Sequence, residues 1–282
     1  MTSTSHKTFQ LSFHDLNIHV ETMGQGQIQV IFFHGFGQKC RDLEKMLSED
    51  LLGRCTFHCF GLFFHESYFP KRRLSTEPFS DSELNDLIED YCNRNYINEF
   101  QLLGYSIGAR LCFSLLGNNR SNSIFLLAPD GVTYNLWHFL FTKASFMQNV
   151  ALWLSSRSSI ADTILNLVHR MGFYSDFEMK LIRRNAESRE KLEKVFEVWN
   201  CYRGIRKKFS MSMAIIRERK MPHHFVCGLN DKVLGGGVIR KIMANTSHIE
   251  VTDDGHDLIK MKNAKYLEEF LRSRERYLPL EV

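Results

Sequence analysis

Glu99-Phe100-Gln101-Leu102-Leu103-Gly104-Tyr105-Ser106-Ile107-Gly108 decides how the rest of the chain is read. A short apolar run stops at a glycine, and Ser106 stands between two glycines in the spacing G-x-S-x-G. Leu111, Leu115 and their neighbours then continue at helical spacing, so the serine sits on a turn from strand to helix. Glycines two positions either side let strand and helix approach without a Cβ clash. Such a turn pushes Oγ out of the sheet edge. It also leaves the N–H of Ile107 at a helix N-terminus, where negative charge is favoured.

Strands alternate with helices on both sides of this turn. Thr8 to Thr22 alternates apolar and polar residues and predicts an antiparallel hairpin turning near Asp15 to Asn17, with Phe9, Leu11, Phe13, Ile18 and Val20 inward. Ile28 to Phe33 is a β-branched and aromatic run that suits a strand covered on both faces. A helix is predicted over Arg41 to Leu52, a strand over Cys55 to Phe60, and a helix capped by Ser80 over Asp81 to Tyr96. Ser123 to Ala128, His223 to Gly228 and His248 to Val251 read as further strands, and Asn263 to Arg274 as a closing helix. This alternation predicts a mostly parallel sheet with helices on both faces. Between residues 132 and 221 only helical periodicities appear, for example Leu165, Val168 and His169, then Val195, Val198 and Trp199. That segment predicts a helical insertion, with residues 1–131 and 222–282 forming the core.

A serine hydroxyl needs a base to become a good nucleophile. Of the 12 histidines, His256 is set apart by its place in a short loop after the last strand and before the last helix. An acid must then fix the imidazole tautomer and stabilise its protonated form. Asp231, after the penultimate strand, is favoured, with Asp130 at the end of the Ser123 strand as the alternative. Asp253 and Asp254 read as solvated loop charges.

With Ser106, Asp231 and His256 in that order, the sequence resembles the α/β-hydrolase superfamily in its capped serine-hydrolase form. The matching pieces are His34-Gly35-Phe36-Gly37, the Ser106 turn, Gly228-Leu229-Asn230-Asp231 and Gly255-His256. The resemblance implies an eight-stranded, mostly parallel sheet with a helical cap after the sixth strand. It also implies that Phe36 lends a backbone N–H to an oxyanion hole shared with Ile107, with His34 structural. One loop departs from the pattern. Relatives often carry Asp-x-x-Gly-His-Gly after the fourth strand, and here the chain reads Phe60-Gly61-Leu62-Phe63-Phe64-His65-Glu66-Ser67, which makes His65 peripheral to the chemistry. Tyr105 to Arg110 also resembles the elbow of the menaquinone-pathway lyase, whose corresponding arginine holds a substrate carboxylate.

Composition bounds the remaining classes. The 282 residues are 44% hydrophobic and 24% charged, enough for a large single α/β core. A formal charge of +4 gives no argument for nucleic acid. Met1 to Lys7 carries no apolar core or cleavage pattern, and no window is apolar enough to span a membrane. Seven scattered cysteines without a CxxC pair predict reduced thiols, a cytoplasmic protein and no zinc site. The insertion holds all three tryptophans and 16 Lys and Arg against 8 Asp and Glu. Trp137 and its apolar neighbours read either as pocket lining or as internal packing of the cap. The basic residues read either as attraction for an anionic substrate or as a solvated face.

The expected protein is therefore a serine hydrolase of carboxylic esters or thioesters, working without a cofactor or metal on a small molecule that is anionic or has an apolar acyl group. Arg110 and Trp137 are its candidate substrate contacts. A serine in place of an aspartate disfavours haloalkane dehalogenase and epoxide hydrolase chemistry. The alternatives are a lyase or C–C bond hydrolase with the same triad, and a ligand receptor without turnover.

Overall fold

In the computed structural model, which describes residues 5–133, 189–234 and 236–275, the apolar run Ile28–Phe33 forms strand β3. It lies between β4 (Cys55–Phe60) and β5 (Phe100–Tyr105) and runs parallel to both, as a strand uncharged along its whole length should. With β1 (His6–Phe13), β2 (Leu16–Gly24), β6 (Ser121–Leu127), β7 (His223–Gly228) and β8 (Ile249–Thr252) it makes an eight-stranded sheet in the order β1-β2-β4-β3-β5-β6-β7-β8. Only the pairs β1–β2 and β2–β4 are antiparallel. The helices are α1 (Glu49–Arg54), α2 (Arg73–Thr76), α3 (Asp81–Arg94), α4 (Ile107–Leu115), α5 (Arg189–Tyr202), α6 (Phe209–Glu218), α7 (Gly236–Met243) and α8 (Ala264–Glu275).

Side chains alternate between the two faces of the sheet. Val30, Phe32, Phe57 and Cys59 join one buried cluster with Met46 and Leu51 and with Leu267 and Leu271 of α8. On the other face Phe33 packs on Phe60, and Phe60 on Tyr91 of α3, with ring centroids 5.7 and 4.9 Å apart. Phe209 of α6 stacks its edge between Phe113 of α4 and Phe225 of β7. Helices thus cover both faces, as expected.

Three expectations need correction. Phe9 is exposed rather than inward, lying over Tyr91 near the open edge of β1, whereas Leu11, Phe13, Ile18 and Val20 are buried. The single helix expected over Arg41 to Leu52 is a 3₁₀ turn (Cys40–Met46) followed by α1, because Leu47 is extended and Ser48 restarts the helix by accepting the Leu51 N–H. Nor are all seven cysteines free. Cys40 and Cys59 form a disulfide, because the segment after β3 returns across the end of β4, while Cys55, Cys92, Cys112, Cys201 and Cys227 are buried thiols. The helix α7 had no counterpart in the sequence reading.

The chain divides into two compact units. The first, Met1–Phe69, Phe79–Thr133 and Ile205–Val282, contains the sheet. The second is Pro70–Pro78 with Tyr134–Gly204, so Ile205 to Met221, read from the sequence as part of the insertion, goes with the sheet. Within the second unit, Lys71 pairs with Glu197 of α5 and Arg203 donates to the Ser75 carbonyl at 2.6 Å. Trp137, and with it the apolar run at 136–141, lies outside the described residues. Among the described residues no helix is long and apolar enough to cross a membrane.

Candidate active site

Ser106 occupies a backbone conformation that L-residues avoid, with φ 53° and ψ −119°. Holding a non-glycine residue there costs about 1–3 kcal/mol, which the surroundings must over-determine. They do so through hydrogen bonds on both sides. The Ser106 N–H donates to Leu127 of β6 at 3.0 Å, and its carbonyl accepts from Ala109 and Asp130 at 2.9 and 3.2 Å. Close packing makes the flanking glycines obligatory. A Cβ on Gly108 would stand 2.0 Å from the Phe33 carbonyl oxygen, and one on Gly104 would stand 2.7 Å from Cys112 Sγ.

The turn aims Oγ at His256. Ser106 Oγ and His256 Nε2 are 2.9 Å apart, and His256 Nδ1 lies 2.8 Å from Asp231 Oδ2. The carboxylate fixes the tautomer: Nδ1 carries the proton toward Asp231, leaving the Nε2 lone pair to accept the serine O–H. Asp231 is itself held, since its other oxygen accepts the N–H groups of Val233 and Leu234 at 2.9 and 3.0 Å. Three strand ends, those of β5, β7 and β8, therefore deliver three side chains to one point.

The loops after β7 and β8 are laced together. Leu229 N–H donates to Thr252, and Asn230 donates to Asp254 through its backbone and to Asp253 through its side chain, at 2.7–2.9 Å. Asp254 is buried, contrary to the solvated charge expected. Its carboxylate pairs with Lys262 at 2.6 Å and accepts from Asn263 and Thr252, so its charge is compensated, and those partners hold its pKa below the usual carboxylate range against the opposing effect of burial. Tyr105, next to the serine, donates its O–H to the His256 carbonyl at 2.9 Å, and burial pushes that phenol up so that it stays protonated. Neither contact was visible in sequence spacing, because the Tyr105–His256 contact joins positions 151 residues apart and the Asp254 contacts form only when the segment after β8 folds back.

The alternatives for the acid and the substrate contact meet each other instead. Arg110 pairs with Asp130: its Nη2 donates to one oxygen at 3.1 Å, and Nε lies 2.8 Å from the other without hydrogen-bond geometry. Asp130 also accepts the Gly131 N–H.

Phe36 lies in a turn closed by Gln38 N–H donating to the Gly35 carbonyl, with Gly37 at φ 78°, the sign that a type II turn requires at its third residue. Three N–H groups of this turn are committed: Gly35 to Gln38 Oε1, Gln38 to Gly35, and Gly37 to His65 Nε2. Among the described residues no acceptor is paired with the Phe36 N–H. The peptide that carries it is oriented by His34, whose Nδ1 donates to the Gly35 carbonyl at 2.8 Å while Nε2 accepts from Leu62 at 3.0 Å. His34 is fully buried, and burial holds its pKa down at about 4, so it stays neutral with the proton on Nδ1. Ile107 opens α4, and its N–H is one of the first-turn donors that the helix cannot satisfy.

Two further groups of side chains bear on metal binding. Cys40, His34 and Glu66 come together, but the Cys40 sulfur is bonded to Cys59. His19, Glu21 and Glu66 also cluster, with Glu21 already accepting from His19 and His6 at 2.9 and 3.0 Å. A cavity of about 560 Å³ opens at the start of β7, beside His223, His224 and His248, and no member of the Ser106 site lines it.

No family model matches the sequence, and no curated protein matches it either. Solved structures do. A membrane phospholipase A described as a bacterial virulence factor is 14% identical, with 96% of this chain and 87% of that one aligned at a TM-score of 0.64. The thioesterase domain of the curacin biosynthetic pathway is 14% identical over 95% and 99%, with a TM-score of 0.60. A thermophilic esterase from Thermogutta terrifontis is 15% identical over 95% and 98%, with a TM-score of 0.60. Identities this low speak to the fold, and they agree with the strand order and the turn at Ser106: the chain has the α/β-hydrolase fold.

Proposed function

We propose that the protein is a serine hydrolase that cleaves a carboxylic ester or thioester through an acyl-Ser106 intermediate. The observation that carries this reading is the unbroken relay from Ser106 Oγ to His256 to Asp231, with both hydrogen bonds under 3 Å and the serine held on a strained turn. Nε2 of His256 removes the Oγ proton as the oxygen attacks the substrate carbonyl. The imidazolium that forms is stabilised by Asp231 and then gives its proton to the departing alcohol or thiol. The negative oxygen of the tetrahedral intermediate is received by the N–H groups of Phe36 and Ile107. One such donor is worth about 3–4 kcal/mol of barrier. Water, deprotonated by the same imidazole, then releases the acyl group and restores Ser106.

The described site uses only side chains and backbone amides for these steps. The lyase reading gains no support from Arg110, because a substrate carboxylate would have to displace Asp130 from its ion pair with the guanidinium. Asp130 is likewise engaged by Arg110, while His256 faces Asp231, which supports Asp231 as the acid. The structural neighbours named above include an esterase and a thioesterase, which fits acyl transfer.

The test is covalent labelling. A fluorophosphonate should modify the wild-type protein at Ser106, and p-nitrophenyl butyrate should turn over. Ser106→Ala should lose both while keeping its fold by circular dichroism. Labelling and turnover that survive the substitution would overturn the proposal.

A further inference from the structure

The loop Gly61–Ser67 follows β4. It grips the Phe36 turn at successive points. Leu62 N–H donates to His34 Nε2 at 3.0 Å, Gly37 N–H donates to His65 Nε2 at 2.8 Å, and Cys40 N–H donates to a Glu66 oxygen at 2.8 Å. The loop is itself closed, with Ser67 Oγ donating to the Gly61 carbonyl at 2.6 Å and Phe64 N–H to the Ser67 carbonyl at 3.1 Å. Phe64 is held at φ 62°, a conformation that a large aromatic residue adopts only under constraint. Its neighbour His65 is thereby presented to the turn.

We infer that His65 is a positioning residue for acyl transfer: it fixes the Phe36–Gly37 peptide and so keeps the Phe36 N–H aimed at the substrate oxygen. The inference rests on the proposed role of Ser106 and Phe36. Three observations carry it. His65 Nδ1 lies 3.2 Å from the Phe63 carbonyl, which can only accept, so the proton is on Nδ1 and Nε2 presents a lone pair. That lone pair accepts the N–H of Gly37, the residue directly after Phe36. The imidazole also stands edge-on to the Phe36 ring at 5.0 Å and to His34 at 5.7 Å, so it braces the turn from the same side as its hydrogen bond. Gly37 has no Cβ to limit its backbone and nothing within 4 Å of where one would be. Without the imidazole, the turn keeps its Gln38–Gly35 hydrogen bond and the His34 contact but loses its hold on the Phe36–Gly37 peptide, and a Phe36 N–H displaced from the oxyanion stabilises less of the transition state.

The experiment compares three variants on p-nitrophenyl butyrate. His65→Leu keeps much of the volume and removes the acceptor. His65→Asn keeps a polar group but stops short of the Nε2 position. His65→Gln places a carbonyl oxygen near where Nε2 lies. His65→Leu and His65→Asn should lower kcat about tenfold or more with KM changed less than about threefold, since only transition-state binding is lost. His65→Gln should recover most of kcat. Wild-type kcat in the leucine variant, or glutamine and leucine variants equally slow, would overturn the inference and leave the Ser106 reading intact. If the leucine variant does not fold, the asparagine–glutamine contrast decides. Wild-type protein that neither labels with fluorophosphonate nor hydrolyses the ester removes the reading itself, and the positioning role with it.

Discussion

His34 and His58 are both buried, and burial holds each down to about 4 in the folded protein. His58 sits on β4 between Gln29 Oε1 and the Tyr91 hydroxyl, at 2.7 and 2.8 Å, so both of its nitrogens are used in the neutral form. An unfolded chain titrates these imidazoles near 6.5. Above that value neither state binds the proton and folded stability is complete. As the pH falls from about 6.5 toward 4, the unfolded state binds protons that the folded state refuses. Stability then drops by up to about 3 kcal/mol per histidine. A urea midpoint measured at pH 7.5 and at pH 5 should show the loss, and His58→Gln should shrink the difference. Equal midpoints at the two values would contradict the burial of these groups. On the catalytic side, Asp231→Asn would present a donor or a mispaired amide to His256 Nδ1 and favour the wrong tautomer. A fall of about 10⁴ in kcat is expected, with the fold unchanged.

Among the elements, α6 holds the seam between α4 and β6 through one side chain. The Arg219 guanidinium, just past the end of α6, donates to the carbonyls of Leu116, Asn118 and Ser121 at 2.6–2.9 Å and to Ser121 Oγ at 3.0 Å. The first two are buried carbonyls just past the C-terminus of α4, where a cation is favoured, and the third belongs to the first residue of β6. Arg219→Ala should cost about 2–4 kcal/mol, since it strands several acceptors that a charged donor satisfied. Arg219→Lys should recover little, because one ammonium cannot replace a forked guanidinium. Thermal unfolding of the pair would check both.

The strands of this sheet could be read from sequence with small errors at their ends, because β3, β4 and β7 are rich in apolar, β-branched and aromatic residues with no charged residue and are bounded by glycine or polar loops. The three residues of the Ser106 relay were legible for the same reason: each follows a strand that composition marks clearly. What escaped the reading depends on loops meeting in space. Asp254 looks like a surface charge until Lys262 and Asn263 fold back over it. His65 looks peripheral until its ring reaches the amide of Gly37, and Cys40 looks unpaired until β4 brings Cys59 beside it. Helical periodicity also could not tell that Ile205 to Met221 belongs with the sheet.

At the scale of the whole molecule, the Ser106–His256 hydrogen bond joins positions 150 residues apart, and β6 pairs with β7 although Leu127 and His223 are separated by the long insertion. Closing so long a connection carries an entropy cost that grows with the logarithm of its length, and it comes before the pairing rewards it. The part of the chain that carries the first six strands, α3 and α4 includes Ser106 and the Phe36 turn but neither His256 nor Asp231. Refolding from urea should therefore recover most helical ellipticity before any ester hydrolysis, and a chain ending before His223 should have the serine but no activity. Coincident recovery of both signals would mean that the two halves form together. On the proposed reading, a chain whose last strands have not yet joined carries Ser106 without its base and its acid, so ester hydrolysis would be acquired only as folding completes.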